Sequence, residues 1–303
     1  MMPAPHADYP CRPLLIVEPF GQGGGPDLLA RALAGPLAQR WRQPVDVRNV
    51  TGEGATAAPR YVASAPADGY MLLINTSAQA YSAVTGRALS YDPLQDFVAV
   101  LPLTSQPYVV VTSVSTGIQS LDQLIARARA KPNEATYGST GIGTGTHIGL
   151  AKLNRMCAIS TRHVPPHPTD SNANAVANAI AGRFTCCMLP IGLALPAIHD
   201  DQLVALGVTT VRRSSLLPHV NTIAEAGIAG FDFPIWYGLW VRAGTPADVI
   251  EKIAHDTASV LKSAELRSWI GEHGGEPMDM PRNEFARFVV AQSTLAKDIL
   301  TAQ

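Results

Sequence analysis

The sequence predicts an α/β protein of two lobes, each built on a mostly parallel sheet flanked by helices. Apolar strand-like runs alternate with segments of helical periodicity, which is the βαβ pattern of a parallel sheet covered by helices. The 303 residues suffice for two domains of ordinary size, and 47% hydrophobic residues suffice for two cores. We expect lobe 1 to contain residues 1–103 and 236–303, and lobe 2 to contain residues 104–235.

The first hundred residues predict three strands that alternate with two helices. The strands are expected at Leu14–Val17, Val45–Val50 and Met71–Asn75, and the helices at Asp27–Trp41 and Thr56–Ser64. A Gly-Pro pair at residues 35 and 36 lies inside the first helical pattern. We expect this pair to kink or break the helix.

The rest of the chain predicts a second α/β series and a helical end. The series comprises strands at Tyr108–Thr112, Ala135–Gly138, Thr185–Leu189 and Val204–Val208, and helices at Ser120–Ala130 and Ile148–Asn154. A further strand at Trp236–Val241 precedes two long helices, Pro246–Ser263 and Arg282–Leu300, with no strand predicted between them. Because a pair of helices cannot form its own sheet, we expect it to pack on lobe 1.

Charge and hydropathy exclude two classes of partner. The formal net charge is −1, from 23 basic and 24 acidic residues, and no long basic run is present, so neither nucleic acid nor an anionic membrane surface is expected as a partner. The most apolar stretch, Phe184–Ile198, is too short to cross a bilayer and contains two prolines. Residues 1–10 lack the features of a secretory signal, which fits a cytoplasmic protein or a mature chain whose signal has been removed.

A glycine-rich turn at Pro19–Asp27 joins the first strand to the first helix. Its consecutive glycines allow backbone N–H groups to approach a ligand, and the helix N-terminus adds partial positive charge, so the turn favours a phosphate or carboxylate. The alternative is a tight connection without a ligand. The turn lacks the lysine of a Walker A loop and the third small residue of a dinucleotide fingerprint, which disfavours ATP and NAD.

Two further loops follow predicted strands and carry polar groups. One is Asn75–Gln79, and the other is Tyr137–His147, where glycine alternates with hydroxyl residues before a helix. Ligands of open α/β sheets bind beyond the carboxyl ends of strands, so we expect these loops and the glycine turn to meet in one cleft. Thr144 and Thr146 could equally serve as helix caps.

Cysteine, histidine and serine positions give little support for a metal site or for catalysis. The four cysteines lack metal-site spacing and are interpreted as structural thiols, although a Cys11–Cys157 bridge stays open in an oxidising compartment. His163 and His167 are four residues apart, but the prolines between and after them disfavour a metal-binding helix. Ser139 lacks the upstream glycine of a nucleophile elbow, so a hydrolase is the weaker alternative.

Several motifs together resemble one family, the substrate-binding proteins of tripartite tricarboxylate transporters, also called Bug receptors. The similar segments run nearly end to end: Tyr9–Pro13, Pro19–Asp27, Ala65–Leu73, Tyr91–Phe97, Pro218–Gly227 and Gly244–Pro246. The resemblance implies a type II periplasmic binding protein of the Venus-flytrap kind. It also implies no catalysis, no cofactor and no metal, and a monomer that delivers a small carboxylate to membrane transporter subunits without entering the membrane itself.

The resemblance also implies which residues bind the ligand in the cleft. Backbone amides, hydroxyls and bridging waters of three loops are expected to hold the carboxylate, with further contacts from two segments of lobe 2. These residues are Phe20, Gly21, Gln22, Gly23, Gly24, Asp27, Thr76, Ser77, Ala78, Ser139, Thr140, Gly141, Thr144, Gly145, Thr146, His147, Pro166, His167, Asp170, Leu189 and Pro190.

The chain departs from the family pattern at three places. Glu18 stands where many members carry valine, and it either has a buried partner or a raised pKa, or contacts a ligand amine or hydroxyl. The segment His163–Pro168 lacks the usual aromatic and lysine, and Phe184–Cys186 lacks the usual acid. These departures leave the ligand's identity open, and a receptor that signals to another membrane partner is an alternative to transport.

Overall fold

The computed structural model describes residues 9–86, 88–166 and 172–301. Its helices and strands alternate along most of the chain. In chain order they are β1 (Leu14–Glu18), α1 (Gly25–Trp41), β2 (Val45–Asn49), α2 (Ala57–Ala63), β3 (Met71–Thr76), α3 (Ala78–Ser82), β4 (Phe97–Gln106), β5 (Tyr108–Ser113), α4 (Leu121–Ala130), β6 (Thr136–Gly138), α5 (Gly145–Cys157), β7 (Arg162–Val164), α6 (Asn172–Ile180), β8 (Cys186–Pro190), α7 (Ile191–His199), β9 (Leu203–Val208), β10 (Ile235–Arg242), α8 (Ala247–Leu261), α9 (Ala264–Glu272), β11 (Glu276–Pro277) and α10 (Arg282–Thr301).

The chain divides into two compact units. Unit 1 consists of Met1–Thr104, Trp236–Gly271 and Glu276–Ser293. Unit 2 consists of Ser105–Ile235, Glu272–Gly275 and Thr294–Gln303. Each unit contains one mixed sheet flanked by helices, so the predicted α/β class is confirmed.

The sheet of unit 1 has the order β11-β4-β10-β3-β1-β2. Strand β1 pairs parallel with both β2 and β3, placing Leu15 opposite Asp46 on one side and Met71 on the other, whereas β10 pairs antiparallel with β3. Because β1 and β3 are parallel, the glycine turn that follows β1 and the loop that follows β3 emerge at the same sheet edge.

Helix α1 packs in unit 1 through its apolar stripe. Leu29, Leu33 and Leu37 recur at one-turn intervals and are each 1% exposed. The Gly-Pro pair does not break this helix, so that part of the expectation is wrong. Gly35 and Pro36 both lie on the exposed face, where water can hydrogen-bond the carbonyl that a proline leaves unpaired.

Helix α8 is fastened to α1 by a buried carboxylate. Asp256 accepts hydrogen bonds from Arg40 Nε and Trp41 Nε1, both at 2.7 Å, and pairs with Lys252 at 3.0 Å. Burial alone would raise the pKa of Asp256, but these hydrogen bonds outweigh it and hold the pKa far below its usual range. Helix α8 therefore packs against α1 within unit 1.

The sheet of unit 2 has the order β7-β6-β8-β5-β9. Strand β6 pairs parallel with β7 and β8, while β5 pairs antiparallel with β8 and β9. The carboxyl ends of β6, β7 and β8 therefore lie at one end of the sheet. The β6–β7 register places Tyr137 opposite His163, so the two side chains lie on the same face of the sheet.

Several elements differ from the sequence-based expectations. Between the two long terminal helices lie α9 and the strand β11, so the prediction that no strand separates them is wrong. Strand β11 joins the sheet beside β4, where Met278 N–H donates to Leu103 C=O at 3.0 Å. A strand of two residues is too short to show a hydrophobic periodicity in the sequence. Strand β4 and helices α6 and α7 also lack a sequence-based prediction. In β4 and α7 a proline interrupts the pattern of the element.

The four cysteines, Cys11, Cys157, Cys186 and Cys187, are free thiols, and all but Cys11 are buried. Burial raises the pKa of the Cys186 thiol to about 12. Among the described residues, none of the helices is both long enough and apolar enough to cross a membrane.

Candidate functional site

The glycine turn of unit 1 is shaped by hydrogen bonds from its own backbone and from Asp27. Gly24 N–H donates to Gly21 C=O at 3.1 Å, and Gly23 N–H donates to Asp27 Oδ2 at 2.9 Å. Gly23 has a φ of +78°, a left-handed conformation that favours glycine. A Cβ atom at Gly21 or Gly23 would have no neighbour within 4 Å, so the turn leaves free space beside its backbone.

A buried polar network lies beneath this turn. Glu18 is fully buried and accepts hydrogen bonds from Phe20 N–H at 2.8 Å and from Asn49 Nδ2. Asn49 Nδ2 also lies 2.8 Å from Asp27 Oδ1, and the Arg31 guanidinium pairs with the same carboxylate at 2.9 Å. Glu18 therefore has hydrogen-bond partners, one from the turn and one from β2, as one of the alternatives left open by the sequence requires.

The two carboxyl groups in this network have opposite pKa shifts. Burial raises the pKa of Glu18 to about 8, although hydrogen bonds from Phe20 and Asn49 oppose that effect. Burial would also raise the pKa of Asp27, but hydrogen bonds from Arg31, Gly23 and Asn49 outweigh it and lower the pKa. The site thus holds one carboxylate that is paired with a cation and one carboxyl group that binds its proton unusually tightly.

Backbone donors of this turn are available to a ligand. Within the described part of the chain, the N–H groups of Gly21, Gln22 and Gly25 donate to no protein acceptor. Gly25 begins α1, where first-turn N–H groups lack intrahelical partners and carry partial positive charge. The arrangement provides convergent neutral donors for an anion.

The loop after β3 is tied back to its own unit. Ser77 N–H donates to Trp236 C=O at 2.9 Å, and Ala78 N–H donates to the Thr76 hydroxyl at 3.1 Å. All three predicted residues, Thr76, Ser77 and Ala78, are buried in this structure. Because β1 and β3 are parallel, this loop lies at the same sheet edge as the glycine turn.

The loop of unit 2 is held by hydroxyl groups rather than by charges. The hydroxyls of Thr140, Thr144 and Thr146 lie 2.9–3.2 Å from one another. Thr140 N–H donates to Thr146 Oγ1 at 2.9 Å, and the Thr144 hydroxyl donates to Gly141 C=O at 2.7 Å. Thr144 occupies the N-cap position of α5, but its hydroxyl accepts no hydrogen bond from a first-turn N–H group. Its side chain therefore does not cap the helix.

Two histidines and a tyrosine pack beside this loop. The Ser139 hydroxyl and His163 Nε2 are 2.8 Å apart. The His163 ring stacks on Tyr137 with centroids 4.8 Å apart and lies 4.5 Å from the His147 ring. Gly143 N–H donates to His147 Nδ1 at 3.4 Å, a long hydrogen bond that uses the neutral ring as acceptor.

Both imidazoles are neutral over the physiological pH range. Burial lowers the pKa of His147 to about 4, and burial together with the neighbouring His147 lowers the pKa of His163 to about 4. A general base works best with a pKa near the operating pH, so His163 is poorly suited to activate Ser139. The pair is better suited to orienting the serine hydroxyl through a hydrogen bond.

Comparison with known proteins decides the family. A family profile described as the tripartite tricarboxylate transporter family receptor, TctC, matches residues 29–303. The chain belongs to this family. Among curated relatives, a UPF0065 protein in the tcbD-tcbE intergenic region of Pseudomonas sp. (strain P51) is 32% identical over 279 residues, covering 89% of this chain and 81% of the relative. Protein BugT of Bordetella pertussis is 29% identical, covering 89% and 82%.

Solved structures of similar proteins support the receptor fold. R. palustris Rpa4515, determined with adipate, has a TM-score of 0.89 and 29% identity, covering 97% of this chain and 98% of the other. The periplasmic binding protein BugD has a TM-score of 0.85 at 22% identity, with coverage of 97% and 98%. The TctC receptor chain therefore has the fold of periplasmic binding proteins.

The remaining predicted residues of the TctC receptor have diverse surroundings. Leu189 is fully buried in the unit 2 core, and Pro190 precedes α7 at the end of β8. Pro166 is half-buried after β7, whereas His167 and Asp170 lie outside the described residues. Among the residues that the structure does describe, no group of three His, Cys, Asp or Glu side chains is placed to hold a metal ion.

Sequence reasoning missed the contribution of three residues to the two turns: Arg31, Asn49 and His163. Arg31 could have been found from its position four residues after Asp27 on a predicted helix, a favourable spacing for an ion pair. The contact of His163 with Ser139 depends on the β6–β7 pairing, for which the sequence has no local signal.

Proposed function

We propose that this receptor captures a small carboxylate in the periplasm and delivers it to the membrane subunits of a tripartite tricarboxylate transporter. The observation that carries the proposal is the matched pair of strand–glycine–helix turns, one in each unit, with N–H and hydroxyl groups as donors. Arg31 is the cation beside the first turn, and it is paired with Asp27. Such neutral donors suit a carboxylate, which accepts several hydrogen bonds without needing a buried cation.

The chemistry of the relatives supports an organic acid as the ligand. The 29%-identical R. palustris protein was determined with adipate, a dicarboxylate. We propose a dicarboxylate, an aromatic carboxylate or a related acid for this receptor, with residues from the turns of both units taking part in binding. The proposed roles differ among the predicted residues, because the Asp27 carboxylate is already bonded to Gly23, Arg31 and Asn49.

A thermal-shift screen tests the binding proposal. The panel contains adipate, succinate, malate, citrate, benzoate and glutamate, each titrated from micromolar to millimolar concentration. A ligand that binds only the folded protein raises its stability by about 2.7 kcal/mol at one hundred times its Kd. At least one acid should raise the melting temperature saturably, and isothermal titration should give one site per chain. No response to any acid of these classes would contradict the proposal.

Gly21→Leu tests whether the glycine turn contacts the ligand. A Cβ atom at Gly21 meets nothing within 4 Å, so the new side chain occupies the free space beside the turn without straining the fold. We expect at least a tenfold loss of affinity with little change in melting temperature. Gly35→Leu is the matched control, because Gly35 lies on the exposed face of α1 and likewise meets nothing within 4 Å.

Delivery to a transporter requires a separate experiment. Radiolabelled ligand uptake is measured in cells that express the membrane subunits, with this receptor, with Gly21→Leu, or with no receptor. Uptake should depend on the receptor and fall with the Gly21→Leu variant. Ligand binding in solution without receptor-dependent uptake would favour a signalling role instead.

The Ser139–His163 pair makes ester hydrolysis the second activity to test. Its 2.8 Å contact is the spacing of a nucleophile and its base, although the low pKa of His163 argues against proton abstraction. We expect no turnover of methyl or p-nitrophenyl esters of the bound acid. Turnover that disappears in Ser139→Ala would show a catalytic role.

A further inference from the structure

Unit 1 contains a cavity that includes no residue of either turn. Its volume is about 310 Å³, at the lower end of the range for small-molecule sites. The walls come from β4, from α8 and from the segment that leads into α10. Apolar side chains predominate, among them Val100, Leu101, Met278 and Met280.

Small residues on α8 create this space. Ala254 and Ala258 are one helical turn apart, so they lie on the same face of the helix, and both are only half-buried. Leu261, the last residue of α8, also lines the cavity. The cavity therefore lies beside a regular helix and a sheet strand, and two methyl side chains form part of its wall.

The rim of the cavity carries an excess of positive charge. Lys262, Arg267 and Arg282 line it, against a single lining acid, Asp279. Glu251, which is 73% exposed at its side chain, lies 3.7 Å from Arg282. Helix α10 begins at Arg282, so its positive end also lies at the rim. An apolar cavity with a cationic rim is complementary to an anion that has an apolar body.

We propose that this cavity is a second ligand site, which binds an amphiphilic monoanion such as a medium-chain fatty acid. The hydrocarbon body contacts the alanines, the methionines and the β4 residues, and the carboxylate lies at the rim beside Lys262 and Arg267. This inference is independent of the proposed function, because the cavity and the two turns have no lining residue in common.

Methionine-methyl NMR with octanoate tests the proposal on the full chain. The sequence has seven methionines, and Met278→Leu and Met280→Leu identify the two signals that report on the cavity. Octanoate should shift these two signals saturably, and adipate bound at the turns should not compete with it. Octan-1-ol, which has the same chain length without the charge, should bind at least fivefold more weakly.

Cavity-filling variants separate a true site from non-specific binding. Ala258→Phe should weaken octanoate binding at least tenfold, whereas Ser259→Phe, an exposed position on the same helix, should leave it unchanged. Ala254→Leu fills the same space if Ala258→Phe does not fold. The double variant Lys262→Gln and Arg267→Gln should weaken octanoate about fivefold and leave octan-1-ol unaffected. Unshifted Met278 and Met280 signals, or full binding in both filled variants, would overturn the proposal.

Discussion

The two strand–glycine–helix turns look alike in sequence, but charged side chains support one of them and neutral side chains support the other. The turn of unit 1 rests on a buried acid network of Glu18, Asp27 and Asn49, with Arg31 as the cation. The loop of unit 2 rests on neutral threonine hydroxyls and on imidazoles, with a serine bonded to His163. The same strand–glycine–helix backbone pattern is therefore compatible with two different supporting chemistries.

This difference predicts opposite responses to pH. A carboxyl group whose pKa is raised on folding stabilises the protein at low pH, and this stability is lost as the pH rises through the folded pKa. An imidazole whose pKa is lowered on folding acts the other way, because protonation of the unfolded chain favours unfolding as the pH falls. The contribution of Glu18 to unit 1 should thus be lost toward alkaline pH, whereas that of His147 and His163 to unit 2 should be lost toward acid pH.

The largest effect is expected for Glu18→Gln. The pKa of Glu18 rises from 4.5 to about 8 on folding, so the wild-type protein should lose about 4 kcal/mol between pH 4.5 and 8 that the variant does not lose. Urea unfolding at each pH, followed by circular dichroism, measures the difference. Glu265→Gln, at an exposed position of α9, is the control. Parallel stability profiles for Glu18→Gln and the wild type would contradict the assigned role of Glu18.

Asp27→Ala should destabilise unit 1 by about 2–3 kcal/mol, because Gly23 N–H and Asn49 lose a buried acceptor. The loss stays below that of a fully buried ion pair, since the Arg31 side chain is 45% exposed and water can solvate it. Urea unfolding at pH 7 gives the value. Asp46→Ala, on the exposed face of the edge strand β2, should change stability by less than about 0.5 kcal/mol.

His147→Phe should reduce the acid sensitivity of unit 2 by about 2 kcal/mol between pH 6.5 and 4. The pKa of His147 falls from 6.5 to about 4 on folding, so the folded state resists protonation that the unfolded chain accepts. Phenylalanine keeps a ring against Tyr137, whose centroid is 6.2 Å from that of His147. His219→Gln, an exposed histidine, should retain the wild-type profile. If His147→Phe loses as much stability between pH 6.5 and 4 as the wild type does, the role assigned to His147 is contradicted.

The smallest effect concerns the exposed side chains of the two turns. The turn of unit 1 exposes the polar Gln22, whereas the loop of unit 2 exposes the apolar Ile142, which is 44% accessible. If Ile142 contacts the apolar part of the ligand, Ile142→Ser should weaken binding of the acid identified in the thermal-shift screen about threefold to tenfold, equivalent to about 1 kcal/mol. Isothermal titration measures this change. Val211→Ser, 65% exposed and distant in sequence, should bind as the wild type does.

Local sequence predicted much of the fold and part of each turn. Buried apolar runs and helical spacing located β1, α1 and β3 within a few residues, since periodicity depends only on near neighbours. Glycine at position 23 signalled a turn whose left-handed φ is now seen. Strand β11 and its place beside β4 had no such signal, because a two-residue edge strand exists only through its long-range pairing.

The sequence by itself determined the α/β class, the strand–glycine–helix pattern of the two turns and the family to which the chain belongs. Tertiary structure decided how those turns are supported: which acid is buried and binds its proton tightly, and which histidine contacts Ser139. The physical reason is that burial and hydrogen bonding between residues distant in sequence set these properties. Glu18 and Asn49 are 31 residues apart, and Ser139 and His163 are 24 apart.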